Sequence, residues 1–219
     1  MPAGLANGTN RVGALVQCIV SIATFRNSNQ FKPLLKNSAV LMVPAFIGAV
    51  IGANSAINIP DDTLTKVIGY LMIFMLGIVL LKPKRWLIET VSRENNKSVL
   101  NYLIFFAIGW YAGFIQMGMG VLFLAALVLV SKYSLIHANM IKIMISFAIL
   151  FPALLIYIYN NQVDWEPAIA LATGQGLGAW IATKFALENK NASIWVRRIL
   201  IVMILLAIIK LFNLYTYFI

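Results

Sequence analysis

"IHANMIKIMISFAILFPALLIYIY", residues 136–159, is the stretch on which the fold turns. It is apolar over a length that crosses a bilayer as a helix, for which about 20 residues are needed. Yet Lys142 stands about two turns inside it. A charge at such depth costs about 2.5–3.5 kcal/mol on insertion scales and defaults to a functional role. The opposing reading is an anchor, because a long lysine stem near a helix end reaches the interface. The sequence leaves both readings open.

The rest of the chain is of the same kind. Hydrophobic residues make up 61% and charged residues 11%, against about 45–50% and about 25% in soluble domains. Eight hydrophobic segments follow one another, at 8–25, 38–58, 64–81, 99–115, 119–131, 136–158, 166–186 and 195–218. All are expected to be helical, because backbone facing lipid must bond within its own segment. This predicts an all-α polytopic membrane protein that is held in a lipid bilayer. The first residues are small and polar, without the regions of a cleavable signal.

The net charge of +10 is carried between the spans. It therefore reads as orientation, and no nucleic acid partner is expected. The link after the first segment holds Arg26, Lys32 and Lys36 without an acid. The links after the second and sixth hold Asp61 and Asp62, and Asp164 and Glu166. Basic links belong in the cytoplasm, so both ends of the chain are expected outside. One cysteine and one histidine exclude an internal disulfide and argue against a metal site or cofactor. No His/Asp/Glu cluster, nucleotide motif or Ser-His-Asp set suggests an enzyme.

Two parts of the chain echo each other. Ala6-Asn7 followed by Asn10 recurs as Ala138-Asn139 followed by Lys142. "SNQ" (28–30) lies over "NNQ" (160–162), and "GAVIGA" (48–53) matches "GQGLGA" (174–179). The link after segment one is basic and its counterpart after segment six is acidic, so the copies are expected to be inverted. Inverted repeats are the architecture of secondary transporters, with the site near the midplane. The expected division is 1–81 for a first transmembrane repeat, 82–98 for a cytoplasmic linker and 99–219 for a second repeat. The first repeat is expected to be N-terminally incomplete, with no counterpart to segments four and five.

Candidate anion ligands follow from this scheme. Lys142 supplies a fixed charge. "GFIQMGMG" (113–120) is too short for a solvated loop and reads as a break within the membrane, or as a plain tight turn at its far edge with glycines for close packing. A break would free backbone N–H groups around Gly118 and Gly120 at the positive end of a helix dipole, and Gln116 adds an amide. Asn7, Thr9, Asn10 and Asn139 offer polar groups at equivalent places in the two halves, or serve as caps. The two asparagine-bearing starts are expected to converge on the break. Arg11 balances between anion attraction and anchoring. Gly48 and Gly52, like Gly174 and Gly178, read as faces for close helix packing. No carboxylate lies well inside a span, which disfavours a carboxylate proton relay.

Several motifs in this order resemble the sulfite exporter TauE/SafE family of membrane transporters. They are "LANGTNRVGALVQ" (5–17), "IPDDTLTKVIGYLM" (59–72) followed by "KPKRWL" (82–87), and "GWYAGFIQMGMG" (109–120). "HANMIK" (137–142), "QVDWEPAIALATGQGLGAW" (162–180) and "VRRILIVMILLAIIKLF" (196–212) complete the set. The resemblance implies a multi-pass protein of the bacterial inner membrane, with two related halves, that moves small anions such as sulfite or organosulfonates. Family members normally carry a glycine-rich segment before the "ANGTNR" motif, on which this chain opens. The alternative reading is therefore a non-transporting membrane component or an N-terminally truncated, inactive fragment. Assembly as a homo-oligomer stays open.

Overall fold

The computed structural model describes residues 1–27, 31–67, 70, 98–188 and 195. The "SNQ" motif, most of the third segment, the linker before residue 98 and nearly all of the eighth segment lie outside these residues. Among the described residues every regular element is helical. Helix α1 spans Ala3–Phe25, α2 Phe31–Ile57 and α3 Val99–Phe114. Helix α4, Met119–Ala125, continues into a π-helical stretch at Ala126–Val130. Helices α5 and α6 span Leu135–Tyr159 and Trp165–Glu188. Residues 61–67 are also helical.

Two spans, Ser38–Ile57 and His137–Tyr159, are both long and apolar enough to cross a membrane. Helices α1 and α6 have the length, with 23 and 24 residues, but carry more polar groups. Those groups meet each other. Gln175 Nε2 donates to Asn10 Oδ1 at 3.1 Å, and Thr183 Oγ1 donates to Ser21 Oγ at 3.2 Å. Such pairing inside a bundle is how polar residues are accommodated in a bilayer.

Glycine and alanine set the tightest packing. Helices α2 and α3 meet along Ala45, Gly48, Ala49 and Gly52 on one side and Gly109 and Gly113 on the other. A Cβ at Gly109 or Gly113 would lie 2.7 Å from the Cα of Ala45 or Ala49. Only residues without bulk allow backbones so close. Gly174 and Gly178 do not behave in this way, contrary to the sequence expectation. Among the described residues nothing lies within 4 Å of a Cβ at either position, while a Cβ at Gly176 would lie 3.2 Å from Val16 Cγ1. The helix shows α1 a different stripe from the one the spacing suggested.

The contacts also fix helix directions. Ala45 faces Gly109 and Ala49 faces Gly113, so α2 and α3 are parallel. Asn10 meets Gln175 and Ser21 meets Thr183, so α1 and α6 are parallel. Asn7 reaches Tyr157 near the end of α5, while Cys18 lies within electrostatic reach of Lys142 near its start. Helices α1 and α5 are therefore antiparallel. Helix α5 also packs on α2, with Ser38 Oγ 3.6 Å from Met144 Sδ. Exchanging α1 with α5 and α2 with α6 turns the α1–α6 pair into the α5–α2 pair, with every direction reversed.

This arrangement sorts the links by charge. At one end Gly4 N–H donates to Asp61 Oδ1 at 2.8 Å, and Asp164 N–H donates to Thr9 Oγ1 at 2.9 Å. The other end gathers Arg26, Lys32, Lys36, Lys132 and Lys184, with Glu188 among them. These are called the acidic and basic ends below.

Candidate functional site

Helix α3 stops at Phe114, well inside the bundle, and the chain resumes as α4 at Met119. A helix end leaves its last four carbonyls without intrahelical partners. In a bilayer each must be bonded inside the protein. Here all four are. Tyr111 O accepts from Ile115 N–H at 2.7 Å. Ala112 O and Gly113 O accept from the two terminal nitrogens of Arg11, at 3.3 and 2.6 Å. Phe114 O accepts from Asn7 Nδ2 at 2.9 Å and from Tyr157 Oη at 3.3 Å.

Arg11 is completely buried. Its guanidinium lies 4.5 Å over the Tyr157 ring, a cation–π contact. No carboxylate among the described residues pairs with it. The negative end of the α3 dipole takes that place. Asn7 ties the two sides of the break together. It donates to Phe114 O on one side and accepts from Gln116 N–H at 3.4 Å on the other. Its second amide proton goes to Tyr157 Oη at 2.7 Å.

The amide side of the break is different. Ile115 is extended, with φ −133° and ψ 117°. Gly118 turns the chain into α4 with φ 73°, a region in which glycine alone is unstrained. Met119 N–H bonds back to Gln116 O at 3.3 Å, and Val121 N–H to Gly118 O at 3.0 Å. The N–H groups of Met117, Gly118 and Gly120 have no protein partner among the described residues. The buried Oε1 of Gln116 is unpaired as well.

Lys142 lies against this start. A Cβ at Gly120 would sit 3.8 Å from Lys142 Cδ and 4.0 Å from its Nζ. Lys142 is half-buried, and no carboxylate among the described residues pairs with it. A cation thus faces the positive end of a helix dipole, which is unfavourable by itself. An anion between them would reverse the sign of that interaction.

The other candidates divide between the two regions. Thr9 bonds Leu5 O at 2.7 Å and accepts from Asp164 N–H, joining α1 to the loop before α6. Asn10 joins α1 to Gln175. Asn139 is half-buried and precedes Lys142 by three residues, on the same face of α5. It does not converge with Asn7. Asn7 contacts Tyr157, and from there to Asn139 is eighteen residues of α5, about 27 Å of helix rise. The antiparallel course of α1 and α5 separates them, since it puts the starts of the two helices at opposite ends of the bundle. Tyr157 escaped the sequence reading, because a tyrosine near the end of a span ordinarily marks the interface. The sequence signal for Arg11 was its place four residues after Asn7, on one helical face.

The helices and the embedded break define a polytopic membrane protein. The chain belongs to the sulfite exporter TauE/SafE family, whose model matches residues 1–211. That membership makes it a membrane transporter protein. It is also 26% identical over 201 residues to a protein of Sinorhizobium sp named "Probable membrane transporter protein ORF9". The match covers 92% of this chain and 76% of that one. No solved structure gives a significant match.

Proposed function

We propose that the chain moves small anions across the bacterial inner membrane by alternating access, and that sulfur oxyanions such as sulfite and organosulfonates are the class to test first. The observation that carries this reading is Lys142 set beside the start of α4, where, among the described residues, the lysine has no carboxylate and backbone N–H groups have no protein partner. Removing water from an anion is costly unless fixed dipoles or charges replace it. Lys142 supplies the charge. The N–H groups near Gly118 and Gly120 supply dipoles, and Gln116 and Asn139 supply amides at the margin. Asn7, Thr9 and Asn10 act one step away, by holding α1 against the break and α6.

The exchange relation among α1, α2, α5 and α6 supports two inverted repeats, 1–81 and 99–219, joined by a cytoplasmic linker at 82–98. The basic end is then cytoplasmic and the acidic end periplasmic. The family's name supports the substrate class, and the relative's name supports transport. Proteoliposome flux tests the reading against a panel of sulfur oxyanions and organic acids. Lys142→Ala is expected to abolish flux, with insertion intact, and Lys142→Arg to keep part of it. Near-normal flux in the alanine protein would make the lysine an anchor. No flux for any anion would favour a non-transporting membrane component.

A further inference from the structure

We infer that Arg11, Asn7 and Tyr157 form a clasp that holds the acidic end of the helix break closed, with Arg11 as a positioning residue rather than an anion ligand. The clasp stands on geometry independent of the substrate class. Its three side chains come from two helices and act on one target, the last carbonyls of α3. Arg11 uses both terminal nitrogens on adjacent carbonyls and its flat face on Tyr157. Lysine cannot reproduce that fork-and-stack arrangement.

Close packing reinforces the clasp. A Cβ at Gly8 would collide with the backbone carbonyl of Gln162 and lie 2.8 Å from Tyr157 Cδ1. Helix α1 is thereby pressed against the end of α5 and its following loop. Ile115, just past the bonded carbonyls, is 2% exposed. Nε of Arg11 is buried without a partner among the described residues, but an anion that took the two terminal nitrogens would leave Ala112 O and Gly113 O unbonded in a dry interior. Burying polar groups without partners is unfavourable. Opening the acidic end, as alternating access requires, means releasing these bonds together.

The test uses the full chain in detergent, in a Cys18→Ser background, with one reporter cysteine. Ile115→Cys reports opening at the clasp. Leu41→Cys, at a fully buried site on α2 among core residues that do not include Ile115, reports general loosening. Arg11→Gln, Arg11→Lys, Asn7→Ala and Tyr157→Phe are each expected to raise thiol labelling at position 115 by about tenfold or more, as local opening does. Labelling at position 41 should stay within about twofold, because the opening is local. Arg11→Lys is the decisive variant, since it keeps the charge and loses the fork. Unchanged labelling at 115 in Arg11→Lys would overturn the clasp. So would a parallel rise at 41, which would mean general destabilisation. A third contradiction would be unchanged labelling with a tenfold weaker half-saturation by sulfite, since that would make Arg11 a ligand.

Discussion

Two cations serve the same helix break from opposite sides, and their surroundings differ in sign. Arg11 lies at the carbonyl end of α3, where its charge meets a negative dipole and two bonded oxygens. Lys142 lies at the amide end, beside the start of α4, where its charge meets a positive dipole. In the first arrangement the charge has its partners within the protein, although Nε of Arg11 makes no hydrogen bond among the described residues. The second becomes favourable only with a negative partner. A positive residue in a membrane span is therefore not informative by its charge alone. What informs is which end of a helix it faces.

The largest effect that would sharpen this comparison is on folding. Arg11→Ala leaves the carbonyls of Ala112 and Gly113 unbonded, each worth about 1–3 kcal/mol when buried. Lys142→Ala removes an unfavourable charge–dipole contact, worth about 0.3–1 kcal/mol in the opposite direction. Denaturant unfolding in detergent should thus show Arg11→Ala destabilised by several kcal/mol and Lys142→Ala unchanged or firmer. Equal losses in both would erase the distinction between the two cations.

A smaller contrast lies within the glycines of the amide end. Gly118→Ala forces a side chain into a left-handed conformation, at about 1–2 kcal/mol. Gly120→Ala places a methyl at ordinary contact distance from Lys142, so it should cost far less stability. It should nevertheless slow transport, because the methyl occupies the space between Nζ and the N–H groups. Thermal unfolding and flux on the same preparations separate the two. A Gly120→Ala protein with full flux would move the anion away from α4.

The smallest effect is expected outside the break. Asn10→Ala removes the bond to Gln175 that joins α1 to α6. Hydrogen bonds of this kind within membrane proteins average about 0.6 kcal/mol. A loss well above that, read by the same unfolding assay, would mean that Asn10 belongs with the clasp.

Most of the helical framework was legible in the sequence. Hydropathy placed the third and fifth helices within a residue or so of their ends, 99–115 against Val99–Phe114 and 136–158 against Leu135–Tyr159. The start of α1 was not legible by that rule. Asn7, Thr9, Asn10 and Arg11 lower the apolarity of its first turns, and their partners lie more than a hundred residues away. Hydropathy does not see such pairing. The break itself was legible in part, because the glycine-rich "IQMGMG" is too short for a solvated loop, though a tight turn at the membrane's far edge fitted the same residues. Which residues hold it was not, since Asn7 as well as Lys142 reads as a candidate anion ligand until their neighbours are known. Gly174 and Gly178 show the same limit, because a small-residue stripe does not say which face a helix turns inward.

The central claim is that the amide end, with Lys142, binds an anion. The most direct measurement is the shift in unfolding free energy of the detergent-solubilised chain on adding sulfite or an organosulfonate, in wild type and Lys142→Ala. A ligand held only by the folded protein stabilises it by about 2.7 kcal/mol at a hundred times its dissociation constant. Wild type should show a saturable shift of that kind, and Lys142→Ala none at matched ionic strength. Equal, saturable stabilisation of the two proteins by the same anion would contradict that claim.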